Sequence, residues 1–438
     1  MGKKKADTPR AKVQVALDFV NLSRAMKVAE AAVRAGVDIL EAGTPLIKSE
    51  GLNAVRELRA KFPAATIVAD MKTMDAGRLE MECAAKAGAN LAVVLGGAAE
   101  TTIRECVRAG QNYGIEVGVD MLGVEDPATR ARACQEWGAA EIGVHMPIDE
   151  QMRGTPQAFD RLRAVREAVT VPVAIAGGLN SETVADAVKA GADIVIVGGA
   201  ITKAADPEAA TRQILKAVAT LERIETDLYR RVGLENIREI LEQVSTPNIS
   251  DGNHRLPMME GIRPIQSGLK MAGPAVTVRT YPGDWAKPVE AIDVAEAGSV
   301  IVIDAGGVGP AVWGELATHS CIAKDVSGVV IHGAIRDTPD IREMNFPAFA
   351  RLVTGRAGEP KGLGEINVPV TVAGIRVNPG DWVVGDDDGV IVIPKAEAVE
   401  MTNRAMDWLE RENRIRAEID GGKTTLAKVM DLLKWEKK

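Results

Sequence analysis

Between residue 13 and about residue 218, short apolar runs alternate with longer stretches whose apolar residues recur at helical spacing. Eight runs read as strands: 13–17, 39–41, 66–69, 91–95, 116–119, 141–144, 172–176 and 194–197. Three are introduced by one phrase: AGVDI at 35–39, AGANL at 87–91 and AGADI at 190–194. In each, the glycine can take the left-handed conformation that ends a helix, and the apolar run after it opens the next strand. Eight such units in roughly 200 residues predict a compact (β/α)8 TIM barrel. The texture then changes. Residues 217–244 carry Leu, Glu and Arg at helical spacing, predicting a connecting helix or helix pair broken near Gly233. Valine-rich strands are expected at 275–280, 300–304, 329–331, 370–372, 382–384 and 390–393, separated by glycine-rich loops, which describes a second α/β domain. A charged helical tail with a break at Gly421-Gly422 closes the chain. The expected domains are thus a barrel at 1–220, a helical linker at 221–245, an α/β domain at 246–395 and a helical tail at 396–438.

With 438 residues, 46% of them hydrophobic and 26% charged, the chain exceeds one ordinary core and has the balance of a soluble globular protein. Aromatics at 3% argue against a base-stacking platform, and a net charge of −8 argues against a phosphate-backbone surface, so nucleic acid is not an expected ligand. Cys83, Cys106, Cys134 and Cys321 form no CxxC pair and read as buried thiols in a reducing compartment. Lys3, Lys4 and Lys5 precede no apolar segment, and no stretch approaches a membrane span, so a cytoplasmic protein with a solvated start is expected.

Parallel strands of a barrel point one way, so polar residues at their carboxyl ends should converge on one mouth. Here these are Asp18, Glu41, Asp70 with Lys72, Asp120 and His145, followed by Gly177-Gly178 and Gly198-Gly199. Two carboxylates and an ammonium in Asp70-Met-Lys-Thr-Met-Asp75 must be solvated, paired or metal-bound, because an isolated buried ion is costly. The same triplet would also serve as a structural ion pair. Glycine pairs after strands seven and eight let backbone N–H groups approach an anion, which implies a small phosphorylated substrate. Asp18 reads as a ligand for substrate hydroxyls or an orienter of Lys72, and Asp120 as structural.

The motifs VALD at 15–18, EAGTPLIK at 41–48, DMKTMDAG at 70–77 and VGGAIT at 197–202 resemble hexulose-6-phosphate synthase of the orotidine-monophosphate-decarboxylase superfamily. The resemblance spans roughly residues 13–218. It implies Mg²⁺ held by Glu41 and Asp70, Lys72 hydrogen-bonded to the reacting oxygens, and Asp75 reaching into a neighbouring subunit's site, hence a dimer. The implied reaction is the reversible aldol addition of formaldehyde to D-ribulose 5-phosphate, giving D-arabino-hex-3-ulose 6-phosphate through an enediolate. Carboxylates suit a hard cation, and a cation with an ammonium beside it steadies the charge that develops as a proton leaves carbon. His145 is the expected proton carrier, against the plainer reading of a hydrogen-bonded strand-end histidine. One departure is Met146-Pro147, where the synthases commonly carry Thr-Gly. The related 3-keto-L-gulonate-6-phosphate decarboxylase has an arginine where this chain has Ile148. That favours the synthase, with the decarboxylase, joined to a non-catalytic protein-binding domain, as the alternative.

In the second domain the salient runs are DAGG at 304–307, GEL at 314–316, GAIRD at 333–337 and GDDDG at 385–389. Arg336 can grip a carboxylate through two hydrogen bonds while Asp337 holds a divalent cation, and amides near Glu315 and Leu316 can complete an oxyanion pocket. From about residue 237 to 394 this set resembles the ribonuclease-regulator-like (RraA-like) family, similar in fold to metal-dependent 4-hydroxy-4-methyl-2-oxoglutarate aldolases. By that resemblance Arg336 binds a pyruvate-like carboxylate and Asp337 positions Mg²⁺ directly or through water, unless the domain is a protein-binding scaffold. Asp386-Asp387-Asp388 reads as a turn, and His254, His319, His332 and Cys321 give no ligand set. Barrels that pair and C-terminal domains that associate in threes would close as a hexamer.

Overall fold

The computed structural model describes residues 10–147, 151–153, 159–227, 231–233, 236–422 and 424–430. Lys3 to Lys5 and Ile148, to which sequence arguments were attached, lie outside the described residues. The described residues fall into two compact units, a barrel that takes in those from Glu410 to Met430, and a second unit that includes those of Arg231–Leu409.

The barrel is closed and all-parallel, in the order β1 (Lys12–Leu17), β2 (Ile39–Ala42), β3 (Thr66–Thr73), β4 (Leu91–Leu95), β5 (Glu116–Asp120), β6 (Glu141–His145), β7 (Val173–Ala176) and β8 (Ile194–Val197), with β8 pairing back onto β1. The expected phrase does its work at Gly36 and Gly88. Both are left-handed, and each N–H closes the preceding helix onto carbonyls of its last turn. Helix starts are as local: Asn21, Asp126 and Asp206 each accept a backbone N–H of the first turn, the last two with proline at the first helical position. Strand faces and helices share one large apolar core, while a smaller inner cluster of Ile39, Val68, Leu91, Ala174 and Ile194 fills the barrel. β3 runs further than the apolar signal, with a register shift against β4 between Ala69 and Thr73, and Lys72 has a positive φ of 45° inside that irregular stretch.

The second unit holds one mixed sheet in the order β19-β18-β10-β11-β13-β14-β9. Its parallel centre is β10 (Met271–Arg279), β11 (Val300–Asp304), β13 (Gly328–Ile335) and β14 (Ala348–Val353). β18 (Trp382–Asp386) and β19 (Gly389–Ile393) form a hairpin on one side, and β9 (Arg263–Pro264) edges the other. The hairpin turn is formed by Asp387 and Asp388. Asp386 accepts the Thr246 amide and hydroxyl, and Asp387 accepts the Gly268 amide, so the aspartate run is a turn as expected. The linker is less helical than its spacing predicts: among its described residues, helix is confined to Ile237–Gln243, and residues 221–227 carry none. The long helix Ala398–Gly422 ends at the expected glycine pair. Among the described residues no helix is long and apolar enough to cross a membrane. All four cysteines are free, and burial pushes the Cys106 and Cys321 thiols up to about 12 and Cys134 to about 11.

Candidate active site

The carboxyl ends of β1 to β6 bring the polar residues together. Lys72 Nζ lies 3.0 Å from Asp70 Oδ2 and 2.9 Å from Asp120 Oδ2, and His145 Nδ1 lies 3.1 Å from that same Asp120 oxygen. Asp120 is therefore the junction of the cluster, not a bystander. Its other oxygen accepts the Leu122 amide at 2.9 Å. Burial raises the Asp120 carboxyl, but His145 and Lys72 outweigh it and hold the group at about 2. For Lys72, burial opposes the charge and the two aspartates more than offset it, so the ammonium is held well above its ordinary value.

Glu41 is buried at the end of β2, with Gln14 Nε2 donating to its Oε2 at 2.6 Å. Its carboxyl is pushed well up by burial, then by Asp70 and Asp18. Thr44, in the first turn after β2, lies 2.6 Å from Asp70 Oδ2 and orients that carboxylate. Neither Gln14 nor Thr44 was singled out from the sequence. Gln14 carried a signal, a lone polar residue inside an apolar strand.

Asp18 is wedged between the loops after β2 and β8: a side chain on Gly43 would strike its carboxylate, and a Cβ on Gly198 would stand 3.4 Å from Oδ2. Burial and Asp70 push its carboxyl up, against the pull of Lys72, His145 and Lys203. After β7, Gly177 and Gly178 have φ of 109° and 68°, and a Cβ on Gly177 would fall 2.7 Å from the Met146 carbonyl, so glycine is required there. Gly198 and Gly199 follow β8 at the same end. Asp75 stands apart from the cluster, exposed, its carboxylate accepting the Ala76 amide at 2.7 Å.

Among the described residues no three histidine, cysteine or carboxylate side chains are placed to hold a metal ion. Glu41 and Asp70 can supply two oxygen donors. Mg²⁺ commonly takes one or two carboxylates and keeps waters and substrate oxygens. Beside them, Gln14 Oε1 is buried with no hydrogen-bond partner, and burial with the neighbouring Asp70 pushes the Glu41 carboxyl up, as happens when two acidic groups crowd without a cation between them. The residues fit such a cation.

In the second unit, Arg336 Nε lies 3.3 Å from Asp337 Oδ2, which also accepts the Glu315 amide at 3.3 Å. Gly314 leaves the room for that carboxylate, and the Leu316 side chain is 76% exposed. His332, which had no partner by spacing, is held between Asp304 (3.1 Å) and Arg351 (3.3 Å). Register explains it, since β11 and β13 set Asp304 opposite His332.

A closed parallel barrel with its charged groups at the carboxyl ends of the strands and glycines after the last two defines a (β/α)8 enzyme. Residues 11–214 match the model of the orotidine 5′-phosphate decarboxylase / HUMPS family, and residues 246–392 match the RraA-like model, Aldolase/RraA. A 3-hexulose-6-phosphate synthase of Mycobacterium gastri is 43% identical over 210 residues, 48% of this chain and 100% of its own length. That of Methylomonas aminofaciens is 41% identical over 204 residues, covering 47% and 97%. The crystal structure of 3-hexulose-6-phosphate synthase from Salmonella typhimurium is 39% identical and covers 48% of this chain and 100% of its own, with a TM-score of 0.46. The chain belongs to the orotidine 5′-phosphate decarboxylase / HUMPS family, its barrel an enzyme of the 3-hexulose-6-phosphate synthase kind, a carbon–carbon lyase, fused to an RraA-like domain.

Proposed function

We propose that the barrel catalyses the reversible, Mg²⁺-dependent addition of formaldehyde to D-ribulose 5-phosphate, forming D-arabino-hex-3-ulose 6-phosphate. The observation that carries this reading is the shared contact at Asp120, where one carboxylate holds both the ammonium and the imidazole. Backbone N–H groups at Gly177, Gly178, Gly198 and Gly199 bind the phosphate, and Asp18 accepts from sugar hydroxyls. Lys72 donates to the oxygen on which negative charge grows as a proton leaves C1. With its Nδ1–H on Asp120, His145 presents Nε2 to that proton. C1 of the enediolate then bonds to the formaldehyde carbon, and the new alkoxide takes the proton back; the reverse sequence breaks the same bond. Glu41 and Asp70 would hold the Mg²⁺, which would supply Lewis-acid stabilisation of the developing negative charge. The exposure of Asp75 supports a role across a dimer interface.

The test mixes the protein with ribulose 5-phosphate, formaldehyde and Mg²⁺ and follows hexulose phosphate. Product is expected, with loss on chelation and a drop of about 10²-fold or more for Asp70→Ala. Turnover of keto-gulonate phosphate alone would move the assignment to the decarboxylase. For the second domain, the Arg336–Asp337 pair supports binding of a pyruvate-like carboxylate on Arg336, with Asp337 placing Mg²⁺ and the Glu315–Leu316 amides nearby. Pyruvate release from oxaloacetate that disappears in Arg336→Ala would support catalysis there; no release at all would leave a scaffold.

A further inference from the structure

The lip of the barrel between β1 and β8 carries contacts made by residues that lie beyond the stretch matching the synthases. The family model ends at residue 214, and the Mycobacterium gastri enzyme is matched over its whole length by 210 residues of this chain. Yet the residues from Glu410 onward group with the barrel. Among them, Arg414 reaches the loops after β1 and β8, and Glu418 reaches Arg24 in the helix that follows β1. The Arg414 guanidinium lies 5.7 Å from the centre of the Phe19 ring and 3.4 Å from the Thr202 carbonyl. Phe19 directly follows Asp18, and Thr202 ends the turn begun by Gly198-Gly199. One side chain thus ties the loop after β1 to the loop after β8.

Around it, Glu418 reaches Arg24 at 3.3 Å and Arg414 at 3.7 Å, and Glu410 faces Lys203 at 3.8 Å. Arg414, Arg24 and Lys203 are only 13%, 15% and 18% exposed, and Glu410 only 6%. Lys203 also acts on the Asp18 carboxylate, so three cations and three anions interlock at the lip. Buried ion pairs of this kind add little net stability but fix geometry, and withdrawing one partner strands the others.

Resting on the proposed sugar-phosphate site, we infer that the segment 410–422 is a clasp on that site and that Arg414 and Glu418 are positioning residues for phosphate binding. They act through Phe19, Thr202 and Arg24 and set the affinity for the phosphorylated substrate, leaving the carbon–carbon step to the Asp120 cluster.

The experiment uses the full chain. For Arg414→Ala, KM for ribulose 5-phosphate and the inhibition constant of inorganic phosphate are expected to rise together by about tenfold, the effect of withdrawing one charge-assisted contact, while kcat stays within about threefold. Arg414→Lys, keeping the charge, should recover part of the phosphate affinity. Unchanged KM and phosphate inhibition, or equal losses in kcat and stability, would overturn the inference. If Arg414→Ala does not fold, Glu418→Gln should give the same KM-against-kcat split in milder form, and its absence overturns the inference equally. If the native chain does not turn over ribulose 5-phosphate, calorimetric titration with inorganic phosphate separates the two readings. Binding weakened by Arg414→Ala keeps the clasp and discards the reaction; binding left intact discards the clasp.

Discussion

At the residue scale, the site is organised by a group that spacing alone undervalues. Asp120 ends β5 and is 48 positions from Lys72 and 25 from His145, so nothing local in the sequence ties the three together. Only the barrel, which brings the carboxyl ends of β3, β5 and β6 to one rim, makes them neighbours. Glu41, Asp70 and Lys72 were legible because charges leaving an apolar strand demand an explanation, whereas Thr44, between Gly43 and Pro45, is uncharged and demands none. Asp120 is held at about 2, so it is an anion throughout the working range. Replacing it with asparagine leaves Asp70 as the only anion on Lys72 and removes the negative charge that the imidazole leans on. Steady-state kinetics of Asp120→Asn should show kcat lowered by about 10²-fold or more with a smaller change in KM, the size of a lost general acid–base arrangement. Near-native kcat would remove the relay from the mechanism.

At the scale of elements, the barrel was readable strand by strand because a short apolar run marks the body of each, and three of those runs follow the repeated phrase with its helix-ending glycine. β14 was not. Its run Ala-Phe-Ala-Arg-Leu-Val follows a proline and is interrupted by a charge, and it is a strand because β13 and β9 pair with it on both sides. The same limit hid Glu141, the first residue of β6. Burial, with Glu116 and Asp193 nearby, outweighs Lys12 and raises its carboxyl to about 7. A carboxyl raised in the folded state binds protons there that the unfolded chain has released, so stability falls as pH climbs from about 4.5 through 7. Glu141→Gln should therefore raise the melting temperature at pH 8 by about 2–4 °C and change it little at pH 4.5. Scans at the two pH values that showed equal effects would mean that Glu141 is solvated in the fold.

For the whole molecule, we propose that the barrels pair and the RraA-like domains associate in threes, as the sequence resemblances imply. The closed arrangement that satisfies both is six copies of the 46.4 kDa chain with dihedral symmetry. Light scattering or native mass measurement should find that hexamer; a stable monomer would contradict it and leave Asp75 with no neighbouring site to serve. The two halves were legible as separate units from the change in strand texture near residue 246. The attachment of the residues from Glu410 onward to the barrel was not, because a helical pattern reveals an apolar face without naming what covers it.

Lys72 bends the chain as well as charging the site, since it occupies the left-handed region inside an irregular stretch of β3. Asparagine or glycine would keep the bend and lose the ammonium, arginine would keep a cation on an unwelcoming backbone, and a β-branched residue would forfeit both. Single substitutions leading away from lysine therefore pass through a bottleneck, and drift at this position is policed by folding before selection on catalysis has any say.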